Sequence, residues 1–114
     1  MRLTKNAKRD ASEREIVAAL VACGFAVIKL AQKHAPDLVL AKDGDVRIAE
    51  VKSGNKKLKP GQEDWWRHWP GHPRLVLCDV EDVAVVAAQW HTDEDLGAQV
   101  ILHRQARARL KAAG

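Results

Sequence analysis

The stretch that most constrains the fold runs from His34 to Ser53 and reads HAPDLVLAKDGDVRIAEVKS. Its first apolar run is led by Pro36, and proline suits the first residue of a strand better than its middle. The Asp-Gly pair at positions 43 and 44 is among the strongest short signals for a hairpin turn. The stretch is therefore predicted to be a β-hairpin whose second strand runs from Val46 to Val51.

Acidic side chains stand at the open end of this hairpin. Because side chains alternate between the two faces of a strand, Glu50 and Lys52 extend the face that carries Val46 and Ile48. Asp37 begins the first strand and Glu50 ends the second, so antiparallel pairing brings their carboxylates together. Such an oxygen-rich site suits Mg²⁺ or Mn²⁺, and Lys52 beside it can orient a water or stabilise developing phosphate charge.

Composition narrows the class of protein. A chain of 114 residues, 46% hydrophobic and 30% charged, predicts a single globular domain over residues 1–114. The apolar runs are too short for a membrane span and the first residues do not resemble a signal peptide, so we expect a cytoplasmic protein without a membrane partner. Cys23 and Cys78 sit within apolar runs and are expected to be reduced and buried. The net charge of +4 favours a polyanionic partner, DNA first.

The rest of the chain predicts helices and strands around the hairpin. Residues 1–9 are expected to form a loose basic arm, and residues 96–114 a basic C-terminal helix. A strand at 25–30 is apolar on both faces and is expected to be covered by helices. The remaining predictions are helices at 10–23, 60–69 and 80–90 and a strand at 74–79. The helix at 80–90 would have Asp79 near its cap, although its valines also permit a strand.

Two short motifs carry a resemblance to a known family. Pro36-Asp37 followed by Glu50, one apolar residue and Lys52 resembles the signature of the PD-(D/E)XK nucleases. Leu58-Lys59-Pro60-Gly61-Gln62 is similar to the L-x-P-x-Q segment of the VRR-NUC branch, which together with Holliday-junction-resolvase-like enzymes includes many small phage proteins. The resemblance implies an α/β fold with a restriction-endonuclease-like core, a mixed sheet of about four strands flanked by helices.

The same resemblance implies an endonuclease that hydrolyses phosphodiester bonds with Mg²⁺ or Mn²⁺. The metal ligands would be Asp37, Glu50 and the main-chain carbonyl of Val51, with Glu13 of the first helix completing the cluster. Alternatively, Glu13 only caps the first helix and interacts favourably with its dipole. Lys52 would position or deprotonate the attacking water, and Gln62 would orient the participants.

Basic residues outside the motif are candidate DNA contacts. The lysines of the loop after the second hairpin strand can neutralise backbone phosphates, and His34 can contact a substrate strand. The C-terminal helix could clamp a duplex, although a solvated terminal helix explains its charge equally well. The residues concerned are Lys56, Lys57, Lys59, His34, Arg104 and Arg107.

Three tryptophans, Trp65, Trp66 and Trp69, share a helical side with Gln62. They can belong to the core, with at least two of them expected there, or form a surface that stacks bases or joins two copies of the chain. The predicted function is a structure-selective DNA endonuclease for nicked, flapped or branched DNA. A resolvase of four-way junctions would have to be a homodimer. The alternatives are a non-catalytic nucleic-acid-binding module and an interaction protein that uses its tryptophans.

Overall fold

The computed structural model describes residues 3–53 and 56–114, with side chains from residue 12 onward, and contains four strands and four helices within that part of the chain. The elements are α1 (Leu3–Ala22), β1 (Ala26–Lys29), β2 (Leu38–Lys42), β3 (Asp45–Val51), α2 (Pro60–His68), β4 (Val76–Leu77), α3 (Val80–Gln89) and α4 (Leu96–Ala113).

The strands form one mixed sheet in the order β1-β2-β3-β4. The first three are antiparallel neighbours, whereas β4 lies parallel to β3. Parallel strands need a crossover connection, and the segment containing α2 supplies it. The predicted α/β fold, a mixed four-stranded sheet flanked by helices, is confirmed.

The central hairpin forms where the sequence predicts it. Asp43 and Gly44 both adopt positive φ, 53° and 82°, as a type I′ turn requires, and glycine takes this conformation without steric cost. The two-residue turn sets a register that pairs Lys42 with Asp45 and Leu38 with Ala49. The register decides which side chains share a face of the sheet.

One face of the sheet carries the apolar core. Strand residues of this face pack against α1 and α3, and α4 closes the far side. The main contributors are Leu38, Leu40, Ala49, Val51 and Leu77 from the sheet, Ile16 and Leu20 from α1, Val83 and Val86 from α3, and Leu96 and Val100 from α4. Glu50 alternates with Ala49 and Val51 and therefore belongs to the opposite face.

A buried tryptophan joins the turn end of the hairpin to the core. Trp90 is fully buried, and its indole N–H donates a hydrogen bond of 2.9 Å to the carbonyl of Lys42. Phe25 meets the Trp90 ring edge-on at 4.7 Å, and the guanidinium of Arg47 lies 5.3 Å from its centroid. The aromatic contacts thus hold an arginine at a buried strand position.

Three sequence predictions need correction. The first helix begins at Leu3 instead of Asp10, because alanine, lysine and arginine extend a helix without an apolar stripe. The predicted basic arm is thus helical from Leu3, while Met1, Arg2 and the side chains before residue 12 lie outside the described part. β1 is an edge strand with Ile28 62% exposed, so it is not covered on both faces. The fourth strand is only two residues long.

The predicted cap of α3 is confirmed, and a second aspartate caps α4. Asp79 accepts a hydrogen bond of 2.9 Å from the backbone N–H of Asp82 and caps α3. The linker between α3 and α4 ends at Asp95, which accepts 3.1 Å from the backbone N–H of Ala98 and caps α4. The two predicted free cysteines are half-buried.

Candidate functional site

Asp37 and Glu50 face each other where the hairpin opens. Leu38 pairs with Ala49, so the next position outward places Asp37 opposite Glu50. Asp37 accepts a hydrogen bond of 2.8 Å on Oδ2 from the backbone N–H of Val51. In an extended strand the N–H and C=O of one residue point to the same side, so the Val51 carbonyl also faces the Asp37 side. The three groups named by the sequence motif are thereby brought together.

Glu50 is a buried carboxyl beside a second carboxylate. The pKa of Glu50 is raised from its ordinary value of 4.5 to about 8, chiefly by burial and then by the hydrogen bond and negative charge of Asp37, while the charge of Lys52 acts in the opposite direction. Its Oε1 atom is buried without a hydrogen-bond partner. A carboxyl in this state is stabilised by a proton or by a bound cation.

Lys52 follows β3 and is held by the sheet. Its backbone N–H donates a hydrogen bond of 3.0 Å to the carbonyl of Leu77. Because side chains alternate along the strand, the Lys52 side chain lies on the same face as Glu50. The positive charge of Lys52 favours the ionised form of the Glu50 carboxyl. The Glu50–Lys52 half of the motif therefore acts as one electrostatic unit.

The α2 helix places Gln62 against Glu50. The Oε1 atom of Gln62 accepts a hydrogen bond of 2.9 Å from the backbone N–H of Lys59, the residue that caps the helix. Its Nε2 atom donates to Glu50 Oε2 at 3.4 Å. The buried amide therefore links the start of α2 to the acidic pair, in agreement with the contact expected from the sequence motif.

Trp66 contacts Glu50, which the sequence motif does not predict. Its indole N–H lies close enough to Glu50 to favour the ionised carboxyl, although the geometry is short of a full hydrogen bond and Nε1 is otherwise without a partner. Trp66 is four residues after Gln62, and this helical spacing was the available signal. Of the three tryptophans of α2 it alone is buried, so the expectation that at least two are core residues is wrong.

His34 lies on the start of α2. It adopts a positive φ of 66°, and its ring packs so closely on Gly61 that a Cβ there would lie 2.5 Å from Nδ1. The glycine of the motif is thus needed for the approach of a side chain. His34 is exposed and borders the helix turn that carries Gln62, so its predicted contact with a substrate strand stays a prediction.

Glu13 of α1 contacts β1 on the side of the sheet that carries the core. Its carboxylate forms an ion pair of 3.8 Å with Lys29 of β1. Lys29 pairs with Leu38, which faces the core, whereas Glu50 is on the other face of the sheet. Within the described residues, no three His, Cys, Asp or Glu side chains are grouped as metal ligands. The role of Glu13 as a third ligand stays a prediction.

The predicted DNA contacts divide into two groups. Lys56, Lys57 and Lys59 are exposed in the loop that leads into α2, and Gly54 and Asn55 of the same loop lie outside the described residues. Arg104 and Arg107 instead bind the fully buried Asp82, with Nη2 atoms at 2.7 Å from Oδ2 and 2.9 Å from Oδ1 respectively. The sequence did not predict that these arginines join α4 to α3. An aspartate within an apolar helix, Asp82, was the available signal.

Comparison with known proteins returns no matching family model, no matching curated protein and no matching solved structure. Among the described residues, no helix is both long and apolar enough to cross a membrane. The functional interpretation therefore depends on the motif and on the geometry of its residues.

Proposed function

We propose that the protein is a metal-dependent DNA endonuclease that hydrolyses phosphodiester bonds at the Asp37–Glu50 pair. The observation that carries the proposal is the buried Glu50 carboxyl, which has an unpartnered oxygen and lies beside Asp37. Placing a buried carboxylate next to a second, half-buried one is unfavourable unless a proton or a cation offsets their charge. A divalent cation would offset this charge and would also activate water for hydrolysis.

The donor set fits a hard divalent cation. Asp37 and Glu50 offer carboxylate oxygens, and the Val51 carbonyl offers a neutral oxygen on the same side. These groups would hold Mg²⁺ or Mn²⁺, which when bound supplies Lewis acidity and a water of lowered pKa. Waters commonly complete the coordination of Mg²⁺, so a small set of protein ligands is sufficient.

The chain's own residues then orient the reactants. The Lys52 ammonium lies beside Glu50 and would hold the attacking water or a non-bridging phosphate oxygen. Gln62 restrains Glu50 through its amide and keeps the carboxyl directed at the site. The exposed lysines at 56, 57 and 59 would neutralise the phosphates on either side of the cut. Water oxygen bonds to phosphorus, the ester bond breaks, and the leaving oxygen receives a proton.

A nicking assay tests the proposal. Supercoiled plasmid, a nicked or flapped duplex and a four-way junction are incubated with the protein in Mg²⁺, in Mn²⁺ and in EDTA. The wild type is compared with Glu50→Ala and Lys52→Ala, and Glu15→Ala serves as a control on an exposed carboxylate. We expect metal-dependent cutting that falls by at least roughly a hundredfold in both site variants and is unchanged in the control.

A different outcome would favour the main alternative. Salt-sensitive DNA binding by folded protein, with no cutting in either metal, would indicate a non-catalytic nucleic-acid-binding module. The acidic pair is a difficulty for that alternative, because ionised carboxylates repel phosphate and a module that only binds has no use for them.

A further inference from the structure

Two tryptophans of α2 remain outside the core and the acidic site. The rings of Trp65 and Trp69 are stacked, with centroids 5.1 Å apart and planes inclined by 20°. Both are half-buried, and together with Asp64 and His68 they line a solvent-open depression on the helix. Clustered aromatic surface that faces water is typical of an interaction site.

The stacked pair is held in place from two sides. Trp66, buried next to Glu50, meets the Trp65 ring edge-on at 5.2 Å and 83°. The backbone after the helix closes on Trp69, since a Cβ at Gly71 would lie 2.7 Å from Trp69 Nε1. A surface that is already ordered loses little conformational entropy when a ligand stacks on it.

The pair lies within reach of a strand bound at the acidic site. Gln62 contacts Glu50, and Trp69 follows Gln62 by seven residues, directly after the last residue of α2. At 1.5 Å per residue this corresponds to roughly 10 Å along the helix, or the length of about three stacked nucleotides. One nucleic-acid strand can therefore occupy both places.

Basic side chains precede and accompany the helix that carries the pair. Lys56, Lys57 and Lys59 are exposed in the segment of chain between β3 and α2, and exposed Arg67 of α2 forms an ion pair of 2.8 Å with Asp64, whose carboxylate lines the depression. Basic side chains next to aromatic rings are the usual elements of single-strand binding, in which phosphates are neutralised and bases stack. In a duplex the base faces are covered by neighbouring base pairs, so an unpaired base is the group that can stack.

We propose that the Trp65–Trp69 pair stacks an unpaired base of the DNA strand whose phosphate lies at the Asp37–Glu50 site. The preferred substrate is then DNA with a single-stranded segment next to the cut, such as a flap or an overhang. The position of the phosphate rests on the proposed nuclease function, whereas the stacking contact can be measured without cutting.

The test measures binding in EDTA, where no cutting occurs. The full chain is titrated with labelled oligo-dT of roughly fifteen nucleotides and with a blunt duplex of similar length. Trp65→Ala and Trp69→Ala remove the rings, Trp69→Phe keeps an aromatic face, and Ile28→Ala is a control at an exposed apolar residue of β1. Tryptophan fluorescence of the wild type gives a readout that needs no variant, because a stacked base quenches it.

We expect the wild type to bind oligo-dT more tightly than duplex, with its tryptophan fluorescence quenched. Both alanine variants should lose roughly tenfold in affinity for oligo-dT and little for duplex, while Trp69→Phe and Ile28→Ala retain most of it. Equal weakening on both ligands, or no weakening, overturns the stacking proposal. A wild-type dimer that becomes monomeric in Trp69→Ala also overturns it and assigns the pair to an interface between copies.

The two proposals fail separately. A single-strand preference that depends on Trp65 and Trp69, without metal-dependent cutting of any substrate, leaves the stacking surface in place and contradicts the nuclease. Metal-dependent cutting without that preference contradicts the stacking surface alone.

Discussion

Glu50 lies on the sheet face opposite the apolar core, yet none of its surface is exposed. Burial and the carboxylate of Asp37 oppose the ionisation of Glu50, whereas the charge of Lys52 and the indole of Trp66 favour it. A glutamate in such a position is kept protonated or is bound to a cation. The two states make different predictions for the effect of pH on stability.

In metal-free protein, stability should fall as pH rises between the ordinary pKa of 4.5 and the raised pKa of about 8. Over this interval the folded state keeps a proton on Glu50 that the unfolded state has lost, so raising the pH favours unfolding. Glu50→Gln removes this dependence. Thermal unfolding in EDTA from pH 5 to pH 9 should show a melting temperature that falls by several degrees more for the wild type than for the variant (about 5 °C as an order of magnitude).

Added Mn²⁺ should stabilise the wild type most near and above pH 8, because the metal binds the ionised carboxyl. It should leave Glu50→Gln almost unchanged. Glu15→Gln, at an exposed position of α1, serves as the matched control. Parallel pH curves for wild type and Glu50→Gln would contradict the raised pKa.

At the scale of elements, α2 decides the shape of the site. The helix contributes Gln62 and Trp66 to Glu50, and its N-terminal turn is packed beneath His34. The close approach is made at Gly61, where any side chain would displace the histidine ring. Glycine is therefore required at position 61 for a steric reason, which the motif alone does not reveal.

The Gly61→Ala substitution should change stability in a way that depends on His34. Alanine is favoured over glycine in a helix by up to about 1 kcal/mol, and the clash with the His34 ring offsets this gain. In a His34→Ala background the clash disappears, so Gly61→Ala should raise the free energy of unfolding by roughly 0.5–1 kcal/mol. Urea unfolding of the four proteins measures the coupling, and an equal effect in both backgrounds would disprove it.

At the scale of the whole molecule, the apolar core and the candidate site lie on opposite faces of the sheet. The apolar core with α1, α3 and α4 covers one face, and the acidic pair with α2 occupies the other. The last helix is joined to this core by Asp82, which accepts hydrogen bonds from Arg104, Arg107 and the backbone N–H of Cys78 at 2.7–2.9 Å.

Asp82→Ala should lower the free energy of unfolding by roughly 2–3 kcal/mol, since it removes the buried acceptor shared by two guanidinium groups and a backbone N–H, although Arg107 keeps Glu81 and Arg104 keeps the Val76 carbonyl. Asp93→Ala changes an exposed acid of the linker and should stay within about 0.5 kcal/mol of the wild type. Urea unfolding distinguishes the two variants. A small effect of Asp82→Ala would show that the arginines are satisfied by solvent, which would return them to the list of DNA contacts.

The sequence alone determined the hairpin and the pairing of its acids. Asp43-Gly44 permits a two-residue turn, and once the turn is placed, strand alternation and register bring Asp37 opposite Glu50. Asp79 as a cap and the helical spacing after it were likewise readable, because caps and periodicity are local properties.

Only the tertiary structure decided which groups are buried and what partners they take. Local sequence does not distinguish an edge strand from a central one, so the exposure of β1 was missed. It also does not show that Asp82 would engage Arg104 and Arg107, or that Glu13 would reach Lys29, because these ion pairs join separate elements. The raised pKa of Glu50 has the same origin, since burial is a property of the packed molecule.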